Sequence, residues 1–164
     1  MTFSHLDEHG HVHMVDVGAK QVTARTAVAE GVLRISPDTR AQLFSGTLPK
    51  GDALAAARVA GIMGAKRTSE LIPLCHPLPI DSVSVEIEQC DEGARLTATV
   101  STTGRTGVEM EALTAVAVAG LSLYDMIKSV ERGAELGSIH LVSKSGGRSG
   151  RWEREVLPSE KLES

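Results

Sequence analysis

Asp125 and Lys128 stand three apart in "SLYDMIKSV" (122–130), so on a helix they share a face and lie within reach of one another. A carboxylate beside an ammonium holds that cation in place and strengthens its grip on its proton, which suits a general acid. Glu111, Thr114, Val118, Leu121, Asp125 and Lys128 follow 3,4,3,4,3 spacing. One helical stripe therefore carries a carboxylate near its start and an ion pair near its end. On a continuous helix Glu111 and Asp125 are about 21 Å apart. One small reaction centre cannot use both, so either a long ligand spans them or they serve sites completed by different subunits. The plain alternative is a helix-surface ion pair. Lys50, in "LPKGD" (48–52), precedes a helix start at Asp52. The positive end of that helix disfavours the ammonium and brings the lysine toward proton-transfer range. With Gly51 leaving its backbone open, the same helix start could receive phosphate, although no Walker A pattern is present.

The segment "LIPLCHPLPI" (71–80) fences Cys75 and His76 with Pro73, Pro77 and Pro79. Prolines hold such a chain near extended, so the neighbouring thiol and imidazole point to opposite sides and do not form a dyad. One could line a pocket while the other packs inward; the plain alternative for His76 is a loop histidine with a satisfied hydrogen bond. Metal-ligand partners at zinc spacing are missing, and the two cysteines form no CxxC. In "KSGGRSGRWER" (144–154), Lys144, Arg148, Arg151 and Arg154 sit on a Gly- and Ser-rich chain. Open amides with cations suit a polyphosphate; a solvated basic tail is the plain alternative. His5, His9, His11 and His13 read as residues of a flexible arm.

These residues need a scaffold. The 164-residue chain is long enough for one domain with a real core. Its net charge of −4 and its four aromatics (two Phe, one Trp, one Tyr) argue against nucleic-acid binding. The absence of an ~18-residue apolar run and of a signal sequence argues against a membrane and for the cytoplasm. Positions 24–35 read as a strand with a bulge at Gly31. "SPDTRAQLFSG" reads as a short helix capped by Ser36, started by Pro37 and stopped by Gly46. A longer helix runs from the Asp52 cap to Pro73, with Ala53, Ala56, Ala60 and Gly64 as a stripe of small side chains. Val83, Val85 and Ile87 alternate against Leu96, Ala98 and Val100 across a "DEGA" turn, a hairpin. The longest helix follows. Leu113, Val116, Gly120, Leu123, Ile127 and Val130 form its buried stripe, and positions 112–124 carry no charge, so it is covered on more than one side. A strand at 139–144 closes the order. The expectation is an α+β fold, a ferredoxin-like βαββαβ sandwich with one extra helix. It is a single domain, 1–164, with a flexible arm over about 1–20 and a flexible tail over about 151–164.

Five stretches, "HMVDV" (13–17), "KGD" (50–52), "AGIMGAKRTSELIPLCHPL" (60–78), "TGVEMEALTAVAVAGLSLYDMIKSV" (106–130) and "KSGGRSG" (144–150), together resemble the cyclic pyranopterin monophosphate synthase family of molybdenum cofactor biosynthesis. The resemblance implies a phosphorus–oxygen lyase. Its substrate would be (8S)-3′,8-cyclo-7,8-dihydroguanosine 5′-triphosphate, and its products cyclic pyranopterin monophosphate and pyrophosphate. It implies Lys50, Asp125 and Lys128 as the acid–base residues. Leu74, Cys75, His76, Glu109, Met110 and Glu111 would bind substrate, and Lys66, Lys144 and Arg148 would meet phosphates. The thiol is then part of a pocket wall and not the nucleophile. No cofactor is required, although Mg2+ can accompany the triphosphate. The family resemblance also implies a homohexamer, a trimer of dimers with sites at subunit interfaces. The rivals are a non-catalytic nucleotide-binding module, a cysteine-dependent hydrolase and a structural oligomer.

Overall fold

The computed structural model describes residues 9–155. The arm and tail expected at the ends, His5 included, fall partly outside that range. Local signals start most elements. Thr23–Arg34 forms the first strand, β1. Ser36 caps α1, Pro37–Ser45, by accepting from the Thr39 amide, and Gly46 ends it at φ 74°, a left-handed conformation that costs glycine least. The Asp52 carboxylate caps α2, Ala53–Lys66, by accepting from the Ala55 amide.

The long helix expected from Asp52 to Pro73 is broken. It stops at Arg67 and resumes as one turn, α3, Thr68–Leu71. The buried Thr68 hydroxyl donates to the carbonyls of Gly64 (3.2 Å) and Ala65 (3.0 Å), bending the chain where the backbone would otherwise continue. The packed stripe on α2 also differs from the expected one. Ala53, Ala57, Gly61, Gly64 and Ala65 are buried, whereas Ala56 is exposed and Ala60 half-buried.

The expected hairpin forms, with Gly93 and Ala94 of the expected turn already in its second strand. β2, Ile80–Cys90, and β3, Gly93–Gly104, place Val83 opposite Val100, Val85 opposite Ala98 and Ile87 opposite Leu96. The long helix, α4, is Glu109–Ile127. β4, Glu135–Ser145, starts earlier than expected, and a two-residue strand, β5, Trp152–Glu153, adds an unexpected edge. The result is a mixed α/β single domain with a five-stranded antiparallel sheet in the order β2-β3-β1-β4-β5. The β1–β4 register slips between Glu30 and Val32, the irregularity expected at Gly31.

The helices α2 and α4 cover one face of the sheet. Ala27, Ala29 and Leu33 of β1 and Leu96, Ala98 and Val100 of β3 are buried there with Ala115, Val116, Ala119, Leu123 and Ile127 of α4. Close approach of the two helices depends on missing side chains. A Cβ on Gly61 would lie 2.9 Å from the Ala115 carbonyl oxygen, and one on Gly64 would lie 2.9 Å from Val118. By length and composition α4 could cross a membrane, but half of its apolar window is buried in this core and it carries carboxylates at both ends. Its outer side is less covered than a charge-free run implies: Leu121 is 62% exposed. Val130, expected in the buried stripe, lies past the helix and is exposed.

Candidate active site

The continuous α4 separates two groups of side chains. At its C-terminal end the Asp125 carboxylate bridges two lysines. Lys128 approaches Oδ1 at 2.6 Å from one turn along the helix, and Lys50 approaches Oδ2 at 3.2 Å. The Lys50 ammonium also donates to the Asp125 backbone carbonyl at 2.6 Å. That carbonyl belongs to the negative end of α4 and lacks a full set of helical partners. Lys50 therefore does not face the α2 N-terminus, as its place in the sequence suggests; it reaches across to the end of α4. Hydrogen bonds from Lys128 and then Lys50 hold the Asp125 carboxyl below its usual range. In turn the hydrogen bond and charge of Asp125 push Lys128 up. The arrangement is an ammonium that keeps its proton, a fixed carboxylate, and a second ammonium on the same anion.

At the N-terminal end a cavity of about 430 Å³ opens between the proline-rich segment and the start of α4, a size that suits a small-molecule ligand. Leu74, Cys75 and His76 form one wall, and Glu109, Met110 and Glu111 form another. Both Cys75 and His76 border it. The segment is not extended at its start: the Cys75 amide donates to the Ile72 carbonyl at 3.0 Å, closing a turn over Pro73 and Leu74 that removes the strict alternation expected there. His76 Nε2 donates to the Val15 carbonyl at 2.8 Å. A carbonyl can only accept, so Nε2 carries a proton. Burial, with the charges of Glu111 and Glu109, pushes the Cys75 thiol up. Such a thiol stays protonated, the opposite of what a nucleophilic cysteine requires.

Beside the cavity lies a narrower basic niche, sharing Gly107 and Glu109 with it and lined by Arg25, Lys144, Gly146 and Ser149. Lys144 pairs with Glu109 at 2.7 Å. A Cβ on Gly107 would collide with the Glu109 carboxylate, and one on the left-handed Gly147 (φ 69°) would collide with the Arg25 guanidinium. Arg25 is held by the Gly104 and Arg105 carbonyls at 3.0 and 3.2 Å. Arg148 is exposed next to the niche and Lys66 is exposed at the end of α2; neither lines it. Sequence reasoning passed over Val15, Val17 and Lys20, which border the cavity although they fall in the expected arm, and Arg25 and Thr106. The stretch "HMVDV" held the signal for the first two.

Glu111 is 4% exposed. Burial pushes its carboxyl up, and the nearby Glu109 adds to this against its own backbone hydrogen bond. A folded-state pKa above the unfolded one means that its contribution is fully present below the unfolded value. That contribution is lost as pH rises through the folded value. Glu111→Gln removes the cost of ionising a buried group. The variant is expected to gain thermal stability relative to the parent as pH is raised from about 4 to about 8. Calorimetry at the two ends of that range checks this, and a pH-independent difference would contradict it.

Comparison with known proteins agrees with the motifs. The model of the MoaC family matches residues 14–147. The chain belongs to this family. Relatives named "cyclic pyranopterin monophosphate synthase" occur in Corynebacterium glutamicum strain R, 55% identical over 91% of this chain and 96% of theirs, and in Cereibacter sphaeroides strain KD131, 57% identical over 92% and 96%. One from Dinoroseobacter shibae is 54% identical over 93% and 98%. The MoaC match takes in both ends of α4 together with the cavity and most of the basic niche, so each group of side chains lies within the family's own extent.

Proposed function

We propose that this protein is a cyclic pyranopterin monophosphate synthase of molybdenum cofactor biosynthesis. It would convert (8S)-3′,8-cyclo-7,8-dihydroguanosine 5′-triphosphate to cyclic pyranopterin monophosphate and pyrophosphate. The observation that carries the reading is the near full-length identity with relatives of that name, 57% over 92% of the chain in one case. The geometry supports it in three ways. The cavity carboxylates Glu109 and Glu111 can accept from the N–H groups of a guanine-derived ring. The adjacent Arg25 and Lys144 can take the triphosphate and carry the charge of the leaving pyrophosphate. Closing a cyclic phosphate requires a hydroxyl oxygen to attack the α-phosphorus as the bond to pyrophosphate breaks. The hydroxyl proton goes to a base, and the ring rearrangement needs protons returned. Lys50, Asp125 and Lys128 are the group for these transfers.

Within one chain the two groups stand far apart, since Glu111 and Asp125 lie 14 positions apart on the continuous α4, about 21 Å. In our reading the cavity of one subunit meets the lysine–aspartate group of another in a cytoplasmic homohexamer, a trimer of dimers. The exposed apolar side chains Val59, Met63 and Leu121 on α2 and α4 support such burial. The strand order β2-β3-β1-β4 with helices on one face supports a ferredoxin-like description of each subunit. The test is turnover: the purified protein with the cyclic triphosphate should release pyrophosphate and the cyclic pterin phosphate in equal amounts. Binding without release would make it a nucleotide-binding module.

A further inference from the structure

The turn that follows α4 is fastened to the N-terminus of α1. Val130 and Glu131 both donate their amides to the Ile127 carbonyl at 2.9 Å, so Lys128 to Glu131 forms one turn closed on the end of α4. The Tyr124 hydroxyl braces it by donating to the Arg132 carbonyl at 3.1 Å. The Glu131 carboxylate then receives Ser36. The Ser36 amide lies 3.1 Å from each carboxylate oxygen, and the Ser36 hydroxyl donates to Oε2 at 2.8 Å. Ser36 is the N-cap of α1, so the anion sits where the helix dipole favours it. Burial works to raise this carboxyl, but hydrogen bonds from Thr39 and Ser36 outweigh it and keep the group ionised below its usual range.

The helix α1 leads through Gly46 to the Leu48–Gly51 turn, closed by the Gly51 amide on the Leu48 carbonyl at 3.1 Å, and Lys50 lies in that turn. Segment 36–51 therefore docks on the end of α4 at two places, Ser36 on Glu131 and Lys50 on Asp125. Both lysines of the candidate site have long, flexible stems. Their convergence on Asp125 depends on the two backbones that carry them.

We propose that Glu131 is a positioning residue for the Lys50–Asp125–Lys128 group. Its carboxylate, seated on the Ser36 cap of α1, fixes the turn bearing Lys128 against the segment bearing Lys50. The inference rests on reading that group as the acid–base centre, and the experiment separates the two. Steady-state kinetics of Glu131→Ala and Glu131→Gln are compared with those of Lys128→Ala, and Lys128 is titrated by NMR of its labelled ε-carbon. Glu131→Ala should lower kcat about 10-fold with KM within about 3-fold, the pattern of an interaction used only in the transition state. Glu131→Gln, which keeps an oxygen for the Ser36 hydroxyl, should recover most of kcat. In Glu131→Ala the Lys128 titration should move down toward that of an ordinary lysine. If the alanine variant folds poorly, Glu131→Asp withdraws the carboxylate by one methylene and should lower kcat in the same direction. Unchanged kcat per folded protein with an unchanged Lys128 titration, whatever happens to melting temperature, would overturn the proposal and leave Glu131 a helix cap. Full turnover by Lys128→Ala would instead refute the acid–base reading, while the Lys128 titration would still decide the positioning claim.

Discussion

Replacing Lys50 by alanine is expected to lower turnover of the cyclic triphosphate by at least about 1,000-fold, within the range that positioned acid–base groups supply. The fold should remain. Lys50 is partly exposed, and its ammonium meets the end of α4, at 2.6 Å from the Asp125 carbonyl and 3.2 Å from its carboxylate. Water can replace it at that carbonyl at little cost to stability. In the proposed acid–base role Lys50 would have no such substitute, since water does not reproduce a positioned ammonium. Timed product analysis beside a melting curve checks the claim. Turnover within a few-fold of the parent would remove Lys50 from the acid–base role.

Asp125→Asn should lower turnover by at least about 100-fold, the lower end of what acid–base catalysis contributes. The substitution keeps the shape and removes the charge that both lysines share. In the parent, Asp125 holds Lys128 above its ordinary range, so the ammonium persists to higher pH. Without that charge, the alkaline limb of the rate profile that requires protonated Lys128 should move to lower pH. Melting temperature should barely change, since these groups are exposed in the subunit. Residues that act as a unit are not additive: Asp125→Asn with Lys128→Ala should be little worse than either alone. Losses that multiply, or an unmoved alkaline limb, would make this an ordinary surface ion pair.

Most of the scaffold could be read from local chemistry. Ser36, Pro37 and Gly46 set the limits of α1, and alternation showed which residues of β2 and β3 share a face, though not their pairing. The phase of α2 could not be read in the same way. Its sequence, "ALAAARVAGIMGAK", offers small residues at nearly every position, and a stripe of alanines has no unique direction. Only the contact with α4 selects Ala57 and Gly61 over Ala56 and Ala60. The break at Arg67 depends on a threonine hydroxyl that ties back to the preceding turn, a signal easily overridden by the good helix formers before it. In the candidate site, the Asp125–Lys128 contact followed from helical spacing alone. Lys50 joins that contact from 75 positions away, which no local pattern reports. Val15 and Lys20 were hidden for the same reason: their segment looks irregular until the cavity it borders has formed.

Division of the site between subunits has a direct test in mixed assemblies. Lys128→Ala removes a residue at one end of α4 and His76→Ala removes one at the other, and each alone should be close to inactive. The two variants are unfolded together, refolded in equal amounts and assayed for pyrophosphate release. If each site takes one end from each of two chains, random mixing leaves roughly a quarter of the sites intact, and activity should return to about that fraction of the parent's. Mixed assemblies that form but stay as inactive as their components would contradict the divided site and return both ends of α4 to a single chain.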